Sequence, residues 1–297
     1  MSGLLPEHPD ITVYIEALER RALGHLLSSV TVKTPFLIRT YQPPIQELEG
    51  QTLTGLRRVG KRIAFGFANG HWMVLHLMIA GRLHWNSRRQ ALATFEFDNG
   101  SLSLTEAGSR RQAAVHIYAD DSSVATDGLE VMDCTVEEFA ERLTAENHTL
   151  KRSLTDPHIL SGIGNAYSDE ILHHAGLSPV ALSQKLTPAE LIRLLASIRD
   201  RLNYFTDLLR QQGQSGFPEK VTAFRPEMAA HGKFNQPCPR CATPIQRIVR
   251  ASNETNYCPA CQTGGKLLAD RALSRLLGKD WPKSLEEMEL RKRPVRA

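Results

Sequence analysis

The sequence predicts an α+β protein of several domains: an antiparallel β-sandwich, then a helical domain, then a small zinc β-ribbon near the C-terminus. Three observations carry this. In the first half, pairs of apolar-rich runs flank Asn-Gly dipeptides; after about residue 130 the apolar period lengthens from two to 3.6; and four cysteines follow the spacing C-x2-C-x16-C-x2-C. The corresponding boundaries are 1–130, 131–230 and 231–265, with a C-terminal extension over 266–297.

Taken in chain order, Ile11, Ile15, Leu18, Ala22 and Leu26 repeat on one helix face, with Asp10 as the expected N-cap. Runs 62–67 and 72–77 flank Asn69-Gly70, and runs 95–97 and 102–104 flank Asn99-Gly100, both strong hairpin signals. Helical stretches follow from Thr135 to Ala145, over 167–175, and from Pro188 to about Leu209. Between the first two lies Leu160-Ser161-Gly162-Ile163-Gly164-Asn165-Ala166-Tyr167. Its glycines let backbone amides approach a ligand, and a helix N-terminus follows, which reads either as an anion clamp or as a plain turn between helices.

Cys238, Cys241, Cys258 and Cys261 form two C-x2-C pairs, as a closed tetrahedral site requires. Four thiolates leave no open position, so one structural Zn2+ is expected in preference to a pair of disulfides. Between them, residues 244–250 alternate as a strand, followed by a polar turn through Ser252, Asn253 and Glu254. Beyond the ribbon, Leu267, Leu268, Ala272, Leu276 and Leu277 mark an amphipathic helix, and residues 291–296 form a basic tail.

Composition sets the limits. At 297 residues the chain is long enough for about two domains with their own cores. No run of 18 apolar residues and no basic-then-apolar leader is present, so a soluble cytoplasmic protein is expected. The formal charge is +4, and residues 266–297 hold nine Lys or Arg against five Asp or Glu. Any nucleic-acid surface must therefore come from local clustering. Cys134, the remaining cysteine, reads as a small buried apolar residue.

Together, the β domain, the stretch from Gly162 to Glu170 and the ribbon ending Cys258-Pro259-Ala260-Cys261-Gln262 resemble the formamidopyrimidine-DNA glycosylase and endonuclease VIII family, over residues 6 to about 262. The resemblance implies a helix-two-turn-helix in the helical domain and a zinc finger in the ribbon, both gripping DNA. Pro6-Glu7-His8-Pro9-Asp10 resembles the start of these enzymes, where a terminal proline amine attacks C1′ of the damaged nucleotide. It further implies a bifunctional DNA glycosylase and apurinic/apyrimidinic lyase, acting as a monomer on double-stranded DNA that carries oxidised, ring-opened or missing bases. Glu7 would handle protons, Lys61 would grip phosphates beside the lesion, Asn165 would bind phosphate, and Lys151 would lie close to the lesion.

The sequence departs from that pattern at three places. Pro6 follows Met1-Ser2-Gly3-Leu4-Leu5, and an internal proline is an amide without a nucleophilic lone pair. The expectation is that Leu5 occupies the place of the initiator residue and that Pro6 becomes the mature N-terminus; otherwise the chain is a non-catalytic paralogue that binds damaged DNA. Asn253 stands where the family's bacterial members carry a phosphate-gripping arginine. Ile79, Arg111 and Gln112 stand where they insert methionine, arginine and phenylalanine into the gap left by an extruded base, with Met78 as a neighbouring candidate.

Overall fold

The computed structural model describes residues 5–87, 89–107, 111–125, 128–213, 216–218, 225–250, 253–269 and 277–292. Two compact units result. The first comprises Met1–Glu130, Ser161–Ile163 and Leu202–Ala223; the second comprises Val131–Leu160, Gly164–Arg201 and Phe224–Ala297.

The first unit opens with helix α1 (His8–Glu19). Its N-cap is Glu7, not the Asp10 expected from sequence, and Asp10 instead closes the box from the third helical position: the Glu7 N–H donates to its carboxylate at 3.0 Å. Pro9 explains the shift, because a proline in the first turn lacks only an N–H that would have no helical partner anyway. Ile11, Tyr14, Ile15 and Leu18 face the core.

Strands β1 (Leu26–Val32), β2 (Gln51–Val59), β3 (Arg62–Phe67), β4 (Trp72–His76), β5 (Gly81–Trp85), β6 (Ala93–Phe97), β7 (Gly100–Glu106) and β8 (Ala114–Tyr118) make one antiparallel sheet in the order β5-β7-β6-β1-β2-β3-β4-β8. Both Asn-Gly hairpins form as predicted. The seam between β1 and β2 holds only the pairs Leu26↔Thr52 and Leu27↔Gln51. Inward residues of both halves, such as Phe65, Leu75, Phe95 and Leu102, share one core, so the β-sandwich expectation holds. Register fixes which loops meet. Val32, Ala93, Leu104 and Leu83 lie on one rung, so the described residues of the segments after β1, before β5, after β7 and before β8 (33–38, 77–80, 107 and 111–113) emerge at the same end of the sheet.

In the second unit, α2 (Val136–Thr144) carries a Thr135/Glu138 capping box. After α3 (Leu150–Thr155) comes α4 (Asn165–Ala175), which begins two residues earlier than predicted and ends at Gly176 with φ +64°. Helix α5 (Pro188–Gly213) follows, its residues up to Arg201 counted in this unit and those from Leu202 in the first. The ribbon pairs β9 (Gln246–Arg250) with β10 (Asn253–Tyr257), followed by the short α6 (Pro259–Thr263). Asn253 and Glu254 therefore do not form the polar turn expected from sequence. They are strand residues paired with Arg250 and Val249, in register from Tyr257↔Gln246; Ser252 lies outside the described residues.

The helix expected over 267–277 falls largely on residues 270–276, outside the described residues, as does the basic tail from residue 293 onward. The Leu267 N–H donates to the Lys283 carbonyl at 3.0 Å, and a further helix not anticipated from sequence, α7 (Leu285–Lys292), follows. Among the described residues, no helix is long and apolar enough to cross a membrane.

Candidate active centre and nucleic-acid interface

Pro6 and Glu7 are buried at the start of α1, Glu7 to 1 % exposure. A carboxylate at a helix N-terminus faces the positive end of the dipole, which favours its anion. The next residue is pinned too: the His8 N–H donates to the Gly162 carbonyl at 2.9 Å. Gly162 has φ +83°, and a Cβ there would stand 3.0 Å from Arg58 Nη1 and 3.2 Å from His8 Cβ. Its glycine thus serves close packing against the chain's first helix, in addition to the turn geometry read from sequence. Arg58 makes a close ion pair with Glu130, which also accepts a close hydrogen bond from Ser161 Oγ, and Arg58 Nη1 donates to the Gly60 carbonyl at 3.0 Å.

His8, Arg58, Glu130 and Ser161 were not candidates from sequence. Separations of up to 103 residues between partners leave no local pattern to find them by. His8 is 7 % exposed and its Nδ1 has no hydrogen-bond partner. Burial, and secondarily the Arg58 guanidinium, hold its pKa down at about 3 against an ordinary 6.5. The folded chain refuses a proton that the unfolded chain accepts, so stability falls as pH drops from about 6.5 towards 3. His8→Leu should remove this share. Relative to the parent, the variant should gain about 2–3 kcal/mol between pH 7.5 and 4.5 in urea denaturation. Identical pH dependence in both proteins would refute the assignment.

Lys61 sits half-buried in the turn between β2 and β3. Burial first, and then the charges of Arg62, Lys61 and His116, push the nearby His76 down to about 4; Lys61 and Arg62 put two cations at this end of the hairpin. At the sheet end where the three loops emerge, Ile79 is 44 % exposed, on a turn closed by the Gly81 N–H donating to the Leu77 carbonyl at 2.9 Å. Any Cβ on Gly81 would lie 2.2 Å from that carbonyl oxygen, so only glycine completes the turn. Exposed Arg111 donates from Nη1 to Thr34 Oγ1 at 3.3 Å. Gln112 is exposed, and its backbone N–H is held by the Glu106 carboxylate at 2.8 Å. Ile79, Arg111 and Gln112 thus share one rim of the sheet, as a common role would require.

The second unit brings Lys151, Asn165 and Asn253 into the lining of one groove of about 460 Å³, with Arg152, Ile248 and Thr255. Two of them already have protein partners. Lys151 Nζ donates to the Asn165 carbonyl at 2.7 Å, Ser168 Oγ at 2.8 Å and Asp169 Oδ1 at 2.6 Å, and Asn165 Nδ2 donates to the Glu254 carbonyl at 3.0 Å. The fully buried Asp169 also receives His231 Nδ1 at 2.7 Å and the Asn256 N–H at 3.1 Å. Burial opposes its charge, but Lys151 and His231 outweigh it and hold its pKa below the ordinary value. Glu170 accepts the N–H groups of Ala229, Ala230 and His231 at 2.9, 2.8 and 2.9 Å. Two adjacent acids of α4 therefore fasten the segment before the ribbon, and the ribbon itself, to the helix. On β10, Glu254 pairs with Arg247 at 3.0 Å, so its charge is partly cancelled beside Asn253.

The four cysteine sulfurs lie within 4.8 Å of one another. Separations of 3.9 Å (Cys238–Cys261), 3.4 Å (Cys241–Cys258) and 3.4 Å (Cys241–Cys261) bracket the ~3.8 Å edge of a tetrahedron with Zn–S bonds of ~2.3 Å. The donor set fits one structural zinc. Backbone N–H groups of Arg240 and Cys261 donate to Cys238 and Cys258 at 3.4 and 3.5 Å, and His173 Nε2 lies 3.2 Å from Cys238 Sγ, supporting contacts of the kind that orient thiolates.

Residues 5–115 match the formamidopyrimidine-DNA glycosylase N-terminal domain, residues 125–207 its H2TH domain, and residues 235–264 the zinc finger found in FPG and IleRS. A formamidopyrimidine-DNA glycosylase of Thiobacillus denitrificans is 30 % identical over 281 residues, covering 87 % of this chain and 100 % of its own length. The crystal structure of the MutM (FPG) protein from Thermus thermophilus aligns with a TM-score of 0.75 at 26 % identity, covering 86 % of this chain and 98 % of that one. That of a complex between the LlFpg protein, a THF-DNA and an inhibitor aligns with a TM-score of 0.76 at 25 % identity, covering 87 % and 100 %. The matched domains, their order and the zinc site agree with what the sequence motifs imply: the chain belongs to the formamidopyrimidine-DNA glycosylase family.

Proposed function

We propose that this protein is a base-excision repair enzyme, a DNA glycosylase with apurinic/apyrimidinic lyase activity on oxidised or ring-opened bases, and that its nucleophile is the secondary amine of Pro6 as a mature N-terminus. The observation that carries this reading is the buried Pro6-Glu7 pair at the head of α1, within a chain of this family. An α-amine titrates near ~8, so a useful fraction is unprotonated at neutral pH. Its nitrogen bonds to C1′ of the damaged nucleotide as the glycosidic bond breaks, and the resulting iminium is the electron sink for β- and then δ-elimination of the flanking phosphates.

Glu7 supplies and receives protons at the opened sugar. Lys61 holds phosphate beside the lesion from its electropositive turn. Arg111 and Ile79 enter the gap left by the extruded nucleotide, with Gln112 beside them. In the second unit, Asn165, Lys151 and Asn253 bind the backbone from their common groove; because Lys151 and Asn165 have protein partners, DNA exchanges hydrogen bonds there and does not simply add them. The protein acts as a monomer on double-stranded DNA.

A second reading follows from the Leu5-Pro6 peptide bond. A chain that keeps residues 1–5 has an amide at Pro6 and is a damaged-DNA-binding paralogue without lyase chemistry. The test is borohydride trapping on an abasic duplex, with protein starting at Pro6 beside the 297-residue chain. The expected result is a covalent adduct for the shorter chain only, lost in its Glu7→Gln variant by about 100-fold in rate. Binding by the shorter chain without any adduct would leave the paralogue reading standing.

A further inference from the structure

Phe36 and Tyr41 are the two most exposed aromatic side chains among the described residues, at 81 % and 96 %. Phe36 lies on a 3-10 turn, Pro35–Leu37, whose neighbour Leu37 is plugged into the core at 3 % exposure. The segment then runs parallel to β8, bridging Ile38 to Val115; the Arg39 N–H donates to the Val115 carbonyl at 2.8 Å, and Thr40 Oγ1 accepts from the Ile117 N–H at 2.8 Å. That direction matters. It carries Tyr41 down β8 and leaves Phe36 at the rim, two residues from Thr34, whose hydroxyl receives Arg111. Lys33 and Arg39, both exposed, flank the ring in sequence.

We propose that Phe36 is a base-stacking residue: its ring takes the face of an unpaired base next to Arg111 when the protein holds DNA with a missing or extruded nucleotide. This rests on the reading that the protein binds damaged DNA. The rim has a guanidinium at Arg111, an alkyl side chain at Ile79 and an amide at Gln112, and none of these three offers an aromatic face. Phe36 brings such a face to the same end of the sheet from a different loop. An exposed ring on a turn fixed by a buried neighbour and by backbone hydrogen bonds loses little freedom on stacking. Cations interleaved with an aromatic residue are the usual platform for unpaired nucleotides, and the stacking tolerates any base.

The experiment measures affinity of the full zinc-loaded chain for a duplex containing a tetrahydrofuran abasic analogue and for the same duplex undamaged. Phe36→Ala should weaken binding to the abasic duplex by roughly 5- to 100-fold and change binding to the undamaged duplex less than about twofold. Phe36→Trp should retain the parent's affinity, and Tyr41→Ala, equally exposed but away from the rim, should match the parent. Phe36→Ala binding the abasic duplex within about twofold of the parent overturns the proposal. So does an equal loss on both duplexes, or an equal loss in Tyr41→Ala. A parent that does not prefer the abasic duplex removes the damaged-DNA reading itself, and this proposal with it.

Discussion

Removing zinc will unfold the ribbon and loosen α4 while the eight-stranded sheet of the first unit stays folded. The ribbon's buried cluster consists of Ala230, Cys238, Ile245 and Cys258, with Cys261 packed against it. Half of that cluster is metal ligand. Without the ion, two apolar side chains remain to hold the hairpin, far short of a stable core. Structural zinc contributes about 10–16 kcal/mol in isolated finger peptides, as much as the whole stability of an ordinary domain.

The effect reaches α4 because Asp169 accepts the Asn256 N–H and Asn165 Nδ2 donates to Glu254, both on β10. Hydrogen exchange with and without a chelator would measure it. Protection should vanish over residues 246–262 and drop by orders of magnitude over 165–175, with β3 and β4 unchanged. An α4 that keeps its protection after complete zinc release would refute this coupling. Cys258→Ser should reproduce the chelated pattern.

The second large effect is Asp169→Ala, expected to destabilise the second unit by about 3–5 kcal/mol. Asp169 is fully buried and is the acid that meets both Lys151 and His231, at 2.6 and 2.7 Å. Deleting it leaves an ammonium at 14 % exposure with two neutral acceptors and no counter-charge. Asp169→Asn should cost less, since an amide oxygen still accepts from Asn256. Pairing Asp169→Leu with Lys151→Met should recover much of the loss, because removing both charges removes the unpaired one. Urea unfolding followed by the fluorescence of Trp281, the tryptophan of this unit, reads all three. A loss below about 1 kcal/mol for Asp169→Ala would mean that solvent reaches Lys151 and that the network contributes little.

The parts legible in the sequence were those with a local code. Asn69-Gly70 and Asn99-Gly100 announced their hairpins because a two-residue turn restricts residue type at known offsets. The cysteines announced their site because a tetrahedron restricts spacing. Asp10 lies three positions after the actual cap because Pro9 permits a helix to begin ahead of it, whereas a periodicity count starts only at the first apolar residue. Asn253 was read as turn because polar residues suit both turns and the exposed face of a two-stranded ribbon, and only register with β9 decides.

Candidate residues were harder still. Lys151 and Asn165 were identified as positions, but nothing along the chain shows that Asp169 and Glu254 already hold them. Arg58, Glu130 and Ser161 meet across separations of 31 to 103 residues, and nothing in the run Pro35-Phe36-Leu37-Ile38 tells which of its apolar side chains is exposed. Such encounters are properties of the folded surface.

One modest contact has a wider meaning. Glu106 accepts, on one carboxylate, the backbone N–H groups of Gln112 and of Ala113, the latter at 3.1 Å. The side chain at 112 takes no part in this grip. Holder and bit are separate: this backbone grip stands whatever side chain position 112 carries, so an aromatic ring can be exchanged there for an amide without disturbing the sheet behind it. A protein arranged in this way can change the side chains at one rim while its scaffold, and the stability of that scaffold, stay as they were.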